Sequence, residues 1–201
     1  MKKVTTTVWT MVTVFLLAGC VGGKPHLENI NELMPDEVIL VGRIELVPPL
    51  EKVEQELNTI GSGRFQGKVH MLVSEQQFDL DKLPMSAGSH TLFVNFDQDF
   101  YIRQPRVKNL HYSGSVVLME STQRFGGVDA AQMKLPGGLS YTIPANQKAV
   151  YIGTVRYYRD DYNAITKIRF VDDYKTANKS FIKKFGKKYK LVRAKVSQSK
   201  S

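Results

Sequence analysis

The chain has 201 residues, 42% hydrophobic and 23% charged, with a net charge of +9. That apolar share excludes wholesale disorder and a fibrous repeat, and no apolar run after Cys20 approaches the roughly 20 residues a membrane-spanning helix needs. The length accommodates one domain, or one domain with a small appendage.

Lys2 and Lys3 form a positive start, Val4 to Leu17 a mostly apolar stretch interrupted by threonines, and Leu17-Ala18-Gly19-Cys20 a small-residue cleavage site. Such a segment is too short to span a bilayer stably and is read as a leader, residues 1–19, that is cut away. The four residues before and at the cut resemble the lipobox of bacterial lipoprotein precursors at every position. The resemblance implies that Cys20 receives a diacylglyceryl thioether, becomes the new N-terminus and is acylated on its amine, with palmitate-like chains. Several chains at roughly 0.8 kcal/mol per buried methylene make a permanent anchor, where one chain is marginal. It also implies residence in the cell envelope. Val21 departs from the aspartate that commonly retains such proteins in the inner membrane of Gram-negative cells, so the outer membrane, on its periplasmic or its outer side, is the expected address. Cys20 is the only cysteine, so core packing alone must hold the exported domain.

Residues 20–36 contain Gly, Pro and Asn without a regular period and read as a lipid-anchored tether, the competing reading being a first strand lying along the domain. A single mainly-β domain is expected over 37–196. Val38 to Leu46 alternates as a strand and Pro48-Pro49 ends it. Leu50, Val53, Leu57 and Ile60 fall at helical spacing before Gly61-Ser62-Gly63, which predicts a short N-terminal helix. Strands are expected at Phe65–Val73, His90–Phe96, Phe100–Arg103 and Leu110–Met119. Ser121 to Lys134 reads as a long loop or a short helix, and Leu135-Pro136-Gly137-Gly138 as a turn. Ala149 to Arg159 and Ala164 to Val171 flank Asp160-Asp161-Tyr162-Asn163, a hairpin with a four-residue loop.

The period then changes. Tyr174, Ala177, Phe181, Ile182 and Phe185 follow helical spacing over about 173–185, Asp172 or Asp173 can cap the start, and Gly186 can take the left-handed C′ position. Tyr189 to Val196 reads as one more strand and 197–201 as a flexible tail. The Leu-Pro turns leading into strands resemble those of immunoglobulin-like and prealbumin-like exported proteins. The expected class is therefore an antiparallel sandwich of that kind, with a short N-terminal helix and a C-terminal amphipathic helix.

No catalytic constellation emerges. Gly-x-Ser-x-Gly is absent, and Ser180-Phe181-Ile182-Lys183 lies inside the amphipathic helix without the partners that penicillin-recognising enzymes need. Asp160-Asp161 and Asp172-Asp173 have turn and cap explanations. His70, His90 and His111 lie near Met71, Met85 and Met119 in sequence, a set that could suit Cu(I), yet adjacent His70 and Met71 point to opposite faces of one strand. No cofactor and no metal are expected, and a small-ligand or copper-binding role or an envelope enzyme remain alternatives.

Charge is more informative. Residues 156 to 200 hold fourteen Lys and Arg against four Asp, a net of +10. Export excludes nucleic acid as the partner and leaves anionic lipid, lipopolysaccharide or another envelope protein. The expected anionic-surface site is Lys175, Lys179, Lys183, Lys184, Lys187, Lys188 and Lys190. Its helix either lays an aromatic stripe into the surface it binds or packs that stripe onto the sandwich and leaves the lysines in water. The protein is expected to be a lipid-anchored, non-catalytic accessory or structural binding module.

Overall fold

The computed structural model describes residues 26–52, 54, 68–80, 91–124 and 127–198, so Cys20, His90 and Met85 lie outside the described residues. Among the described residues the chain is mainly β, with two five-stranded sheets packed face to face and a 12-residue α-helix on the outside. Sheet I contains β1 (Glu37–Val47), β4 (Asp99–Pro105), β7 (Ala149–Arg159), β8 (Ile165–Val171) and β9 (Leu191–Arg193). Its order is β4-β1-β7-β8, and β9 pairs with the first residues of β7 on the side β8 occupies further along. Sheet II contains β2 (Lys68–Ser74), β3 (Thr91–Asn95), β5 (Asn109–Arg124), β6 (Gly127–Thr142) and β10 (Lys195–Gln198), in the order β10-β6-β5-β2-β3. Helix α1 (Tyr174–Phe185) carries the chain from β8 to β9.

The core lies between the sheets. The even-numbered residues of β1, Val38, Leu40, Ile44 and Leu46, face Val69, Met71 and Val73 of β2 and Leu110, Tyr112 and Val117 of β5. Period-two alternation on both sides of the interface is what a sandwich requires. Within this apolar layer runs a buried hydrogen-bonded chain. Tyr157 Oη donates to the carbonyl of Pro136 at 2.7 Å, so it accepts from Tyr112 Oη at 2.8 Å, and Ser115 Oγ in turn donates to Tyr112 at 2.7 Å. Each hydroxyl is satisfied, which removes the desolvation cost of burying it, and burial pushes the Tyr112 hydroxyl up to about 12.

The sheets are joined at both flanks. A turn with Asp97 at φ 58° links β3 to β4, where Asp97 N–H donates to Ile44 O at 2.8 Å. On the other flank β9 and β10 meet at Ala194, whose N–H donates to Tyr151 O at 2.8 Å. The expected single strand from Tyr189 to Val196 is thus two short strands, one in each sheet.

Four further expectations change. The stretch from Ser121 to Lys134 is neither loop nor helix: β5 and β6 stay paired out to Arg124↔Gly127. Side-chain alternation marks a strand only where one face is buried, whereas this ribbon is defined by backbone pairing. Leu135-Pro136-Gly137-Gly138 is a bulge within β6, not a turn. A side chain at Gly137 would come within 2.3–2.4 Å of the Tyr112 carbonyl, Gly114 N and Ser113, and Gly138 has φ +89°. Proline is tolerated inside a sheet at such a bulge. Sheet I is also mixed, because β7 runs parallel to both β1 and β9; alternation carries no information on strand direction. Finally, from His26 onward the segment read as tether is part of the domain, as the next section details. Of the expected N-terminal helix, Lys52 and Glu54 are helical, and 53 and 55–67 lie outside the described residues.

Candidate functional site

Helix α1 is placed by its aromatic stripe. Ala177, Phe181 and Phe185 are buried against Ile39 and Val41 of β1, Tyr101 of β4, Ala149 and Tyr151 of β7 and Leu191 of β9. Tyr101 meets Phe185 edge-on at 5.2 Å, and Tyr151 meets Tyr174 at 5.8 Å. The helix starts where Tyr151 Oη accepts from the Asp173 N–H at 2.8 Å, while Asp172 accepts from the Tyr174 N–H at 3.3 Å. It ends at Gly186, φ +72°, whose N–H donates to Ile182 O at 2.8 Å. With the stripe spent on the sheet, the lysines face outward.

The seven candidate lysines divide into two groups. Lys175, Lys179, Lys183, Lys187 and Lys190 are exposed and have no carboxylate within ion-pair distance among the described residues. Lys184 and Lys188 hold the N-terminal segment instead. Lys184 Nζ lies 2.8 Å from Glu28 Oε2 and over the Tyr101 ring at 5.3 Å, and Lys188 Nζ donates to Asn31 Oδ1 at 3.0 Å. The hydrogen bond and charge of Lys184 hold the Glu28 carboxyl below its ordinary range.

That segment is a strap across the rim of sheet I. His26 bridges to Ile102 and donates from Nε2 to Phe93 O at 3.0 Å, so it also reaches sheet II. Leu27 N–H donates to Tyr101 O at 2.7 Å, and its side chain is wholly buried beside Phe181 and Phe185. A 3-10 turn at Ile30–Glu32 follows, and Arg103 Nη1 donates to Glu32 O at 3.2 Å. Lys148 then donates to the carbonyls of Met34, Pro35 and Glu37. The apolar spacing of Leu27, Ile30 and Leu33 was the available signal for this packing.

Beyond the helix, the outer face of sheet I carries charge. Arg43 lies 2.8 Å from Asp99 and 3.6 Å from Glu45, and Arg156 lies 2.6 Å from Glu45. Burial is the largest single influence and works against the Arg43 charge, but the Asp99 hydrogen bond and the charges of Asp99, Glu45 and Asp173 together outweigh it, and the pKa rises. The alternation of Arg43 and Glu45 inside an otherwise apolar strand was the signal for this lattice.

The candidate metal ligands among the described residues do not converge. Met71 points into the core and His70 to the opposite face, edge-on to Phe93 at 4.6 Å, with burial lowering its pKa to about 4. His111 shares a hydrogen bond with Ser140 at 3.0 Å. Among the described residues no three His, Cys, Asp or Glu side chains gather as a metal site would require. Asp160 is occupied by its turn, its Oδ1 accepting from the N–H groups of Tyr162 and Ala164 at 2.9 Å each.

Compared with protein-family models, with curated proteins and with solved structures, the chain matches none. Chemically, the site is a set of ammonium groups on flexible stems, which bind anions as point charges without the planar geometric selectivity of arginine.

Proposed function

We propose that this protein is a non-catalytic binding module of the cell envelope, anchored by acyl chains on Cys20 and holding its lysine helix toward an anionic surface. The immunoglobulin-like or prealbumin-like class of sandwich belongs to the same reading, as does the outer membrane as its address in a Gram-negative host. One observation carries it: the strap from His26 is held by the lysine helix and the turn that follows it, through Lys184–Glu28 and Lys188–Asn31. Six residues from Cys20 to His26 reach at most about 20 Å when fully extended. An anchor at Cys20 therefore keeps this end of the domain, and its exposed lysines, close to the bilayer. Each lysine near an anionic surface contributes roughly 1 kcal/mol, within a Debye length of about 8 Å at physiological salt.

The test separates anchor from face. Cys20→Ala should abolish incorporation of labelled fatty acid and release the chain from the membrane fraction; continued labelling would sink the anchor assignment. In that unlipidated background, binding to vesicles of phosphatidylglycerol and phosphatidylcholine should weaken at least tenfold when Lys175, Lys179, Lys183 and Lys187 are replaced by glutamine, with melting unchanged. Lys184 and Lys188 are left in place because they hold the strap. Equal binding by both proteins at low salt would mean that the lysines are only a solvated face.

A further inference from the structure

Strand β8 is an edge strand of sheet I: among the described residues β7 pairs with one side and nothing with the other, whereas the opposite edge strand, β4, is met by the strap at His26–Ile102 and Leu27–Tyr101. An unpaired edge presents a row of backbone N–H and C=O groups, a template for a further strand. The two faces of β8 differ in kind. Ile168 and Phe170, opposite Tyr157 and Val155, lie on the core side, yet they remain 43% and 42% exposed because sheet II does not reach over them. Lys167 and Arg169, opposite Tyr158 and Arg156, lie on the outer side, with both cations over the Tyr158 ring at 5.6 and 5.8 Å. Arg156 is already paired with Glu45, whereas neither Lys167 nor Arg169 has a carboxylate within ion-pair distance among the described residues. Two like charges, Arg156 and Arg169, thus sit directly across from one another, and Glu45 offsets the charge of Arg156 but is not in ion-pair contact with Arg169.

We infer that β8 is a docking edge for an extended segment of another protein in which acidic and apolar residues alternate, added as a further strand of sheet I. Carboxylates on the outer face of the incoming strand meet Lys167 and Arg169, and its apolar residues cover Ile168 and Phe170. A second copy of this chain is the wrong occupant. Antiparallel pairing about Ile168 sets Lys167 of one copy opposite Arg169 of the other, and parallel in-register pairing sets each cation beside its own kind. The inference is independent of the lysine helix and of the anchor.

The probe is a synthetic ten-residue peptide of alternating Glu and Val, titrated against the full chain in non-ionic detergent, with a Lys-Val peptide as control. The Glu-Val peptide should bind, should slow hydrogen exchange over Ile165–Val171, and should be preferred over the Lys-Val peptide by roughly tenfold or more. Methylating its backbone nitrogens along one edge should abolish binding, whereas methylating the other edge should not. Lys167→Glu with Arg169→Glu, both at exposed positions, should reverse the preference between the two peptides. Failure to bind at millimolar peptide, or binding indifferent to methylation and therefore merely electrostatic, would overturn the inference. So would concentration-dependent dimerisation that protects β8, since the occupant would then be a second copy.

Discussion

The outer face of sheet I is two surfaces carried by the same strands. Toward the start of β1 and β7 it is Ile39, Val41, Ala149 and Tyr151, sealed beneath α1; toward their ends it is Arg43, Glu45 and Arg156, without a helix over them, with Thr154 still buried at the boundary. The change falls at one bulge, where Tyr151 pairs with Val41 and Gly153 with Gly42, leaving Ile152 as an extra residue in β7. A helix of 12 residues is about 18 Å long and covers only part of an 11-residue strand. Where cover ends the outward residues become charged and pair with one another. The bulge shifts the parity of β7 so that Arg156 comes to lie beside Glu45. Coverage, not strand propensity, decides which residue type each outward position carries.

If that is right, the two halves must respond to substitution on different scales. Phe181 is wholly buried between Tyr101 and Phe185, so Phe181→Ala should cost about 3–5 kcal/mol by urea unfolding, through lost burial and the cavity left behind. Glu45→Gln on the charged half should cost no more than about 1 kcal/mol, since Arg43 and Arg156 remain partly accessible to water. Comparable losses would mean that the lattice is a second core and that the contrast is false.

The junction itself can be broken. Gly153 has φ +96°, and a Cβ there would lie 2.1 Å from the Phe170 ring. Gly153→Ala should cost about 1–3 kcal/mol. Adding Phe170→Ala relieves the contact but not the backbone angle, so it should restore only part of the loss. Full restoration would show that the backbone angle is not what confines this position to glycine.

The sealed half was the legible one. Ala149 to Arg159 emerged from the sequence as a β-rich run bounded by turn residues, and the helix from residue 174 because an apolar period accompanies burial on one face. The charged half was legible only as an anomaly, Arg43 and Glu45 in an apolar strand. Backbone-defined features carried no such mark: the β5–β6 ribbon past Leu118, the bulge at Pro136–Gly138 and the parallel pairing of β1 with β7. For the candidate site, exposure of the basic helix followed from its stripe. The employment of Lys184 and Lys188 did not, because their partners Glu28 and Asn31 lie more than 150 residues earlier, in a segment whose polar composition masked Leu27.

The smallest effect concerns the strap at the rim of the sealed half, where apolar and ionic attachments meet in neighbouring residues. Leu27 is buried, while Glu28 is exposed and meets Lys184 at 2.8 Å. Because the Glu28 carboxyl is lowered in the folded state, chiefly by the Lys184 hydrogen bond, its contribution is present above the ordinary carboxylate range and is lost as pH falls through the folded-state value. Acid should therefore loosen the strap without freeing it, since protonation removes the ion pair and leaves Leu27 in place. Protection of the Leu27 amide, which donates to Tyr101 O, should fall a few-fold in acid beyond the ordinary chemical dependence of exchange, and Glu28→Gln should remove that extra fall. High salt at neutral pH should reproduce part of it, because an exposed pair is screened. An unchanged acid dependence in Glu28→Gln would assign the loosening to another group and leave the apolar seal, with no ionic help, as what holds the first residues of the domain to its lysine helix.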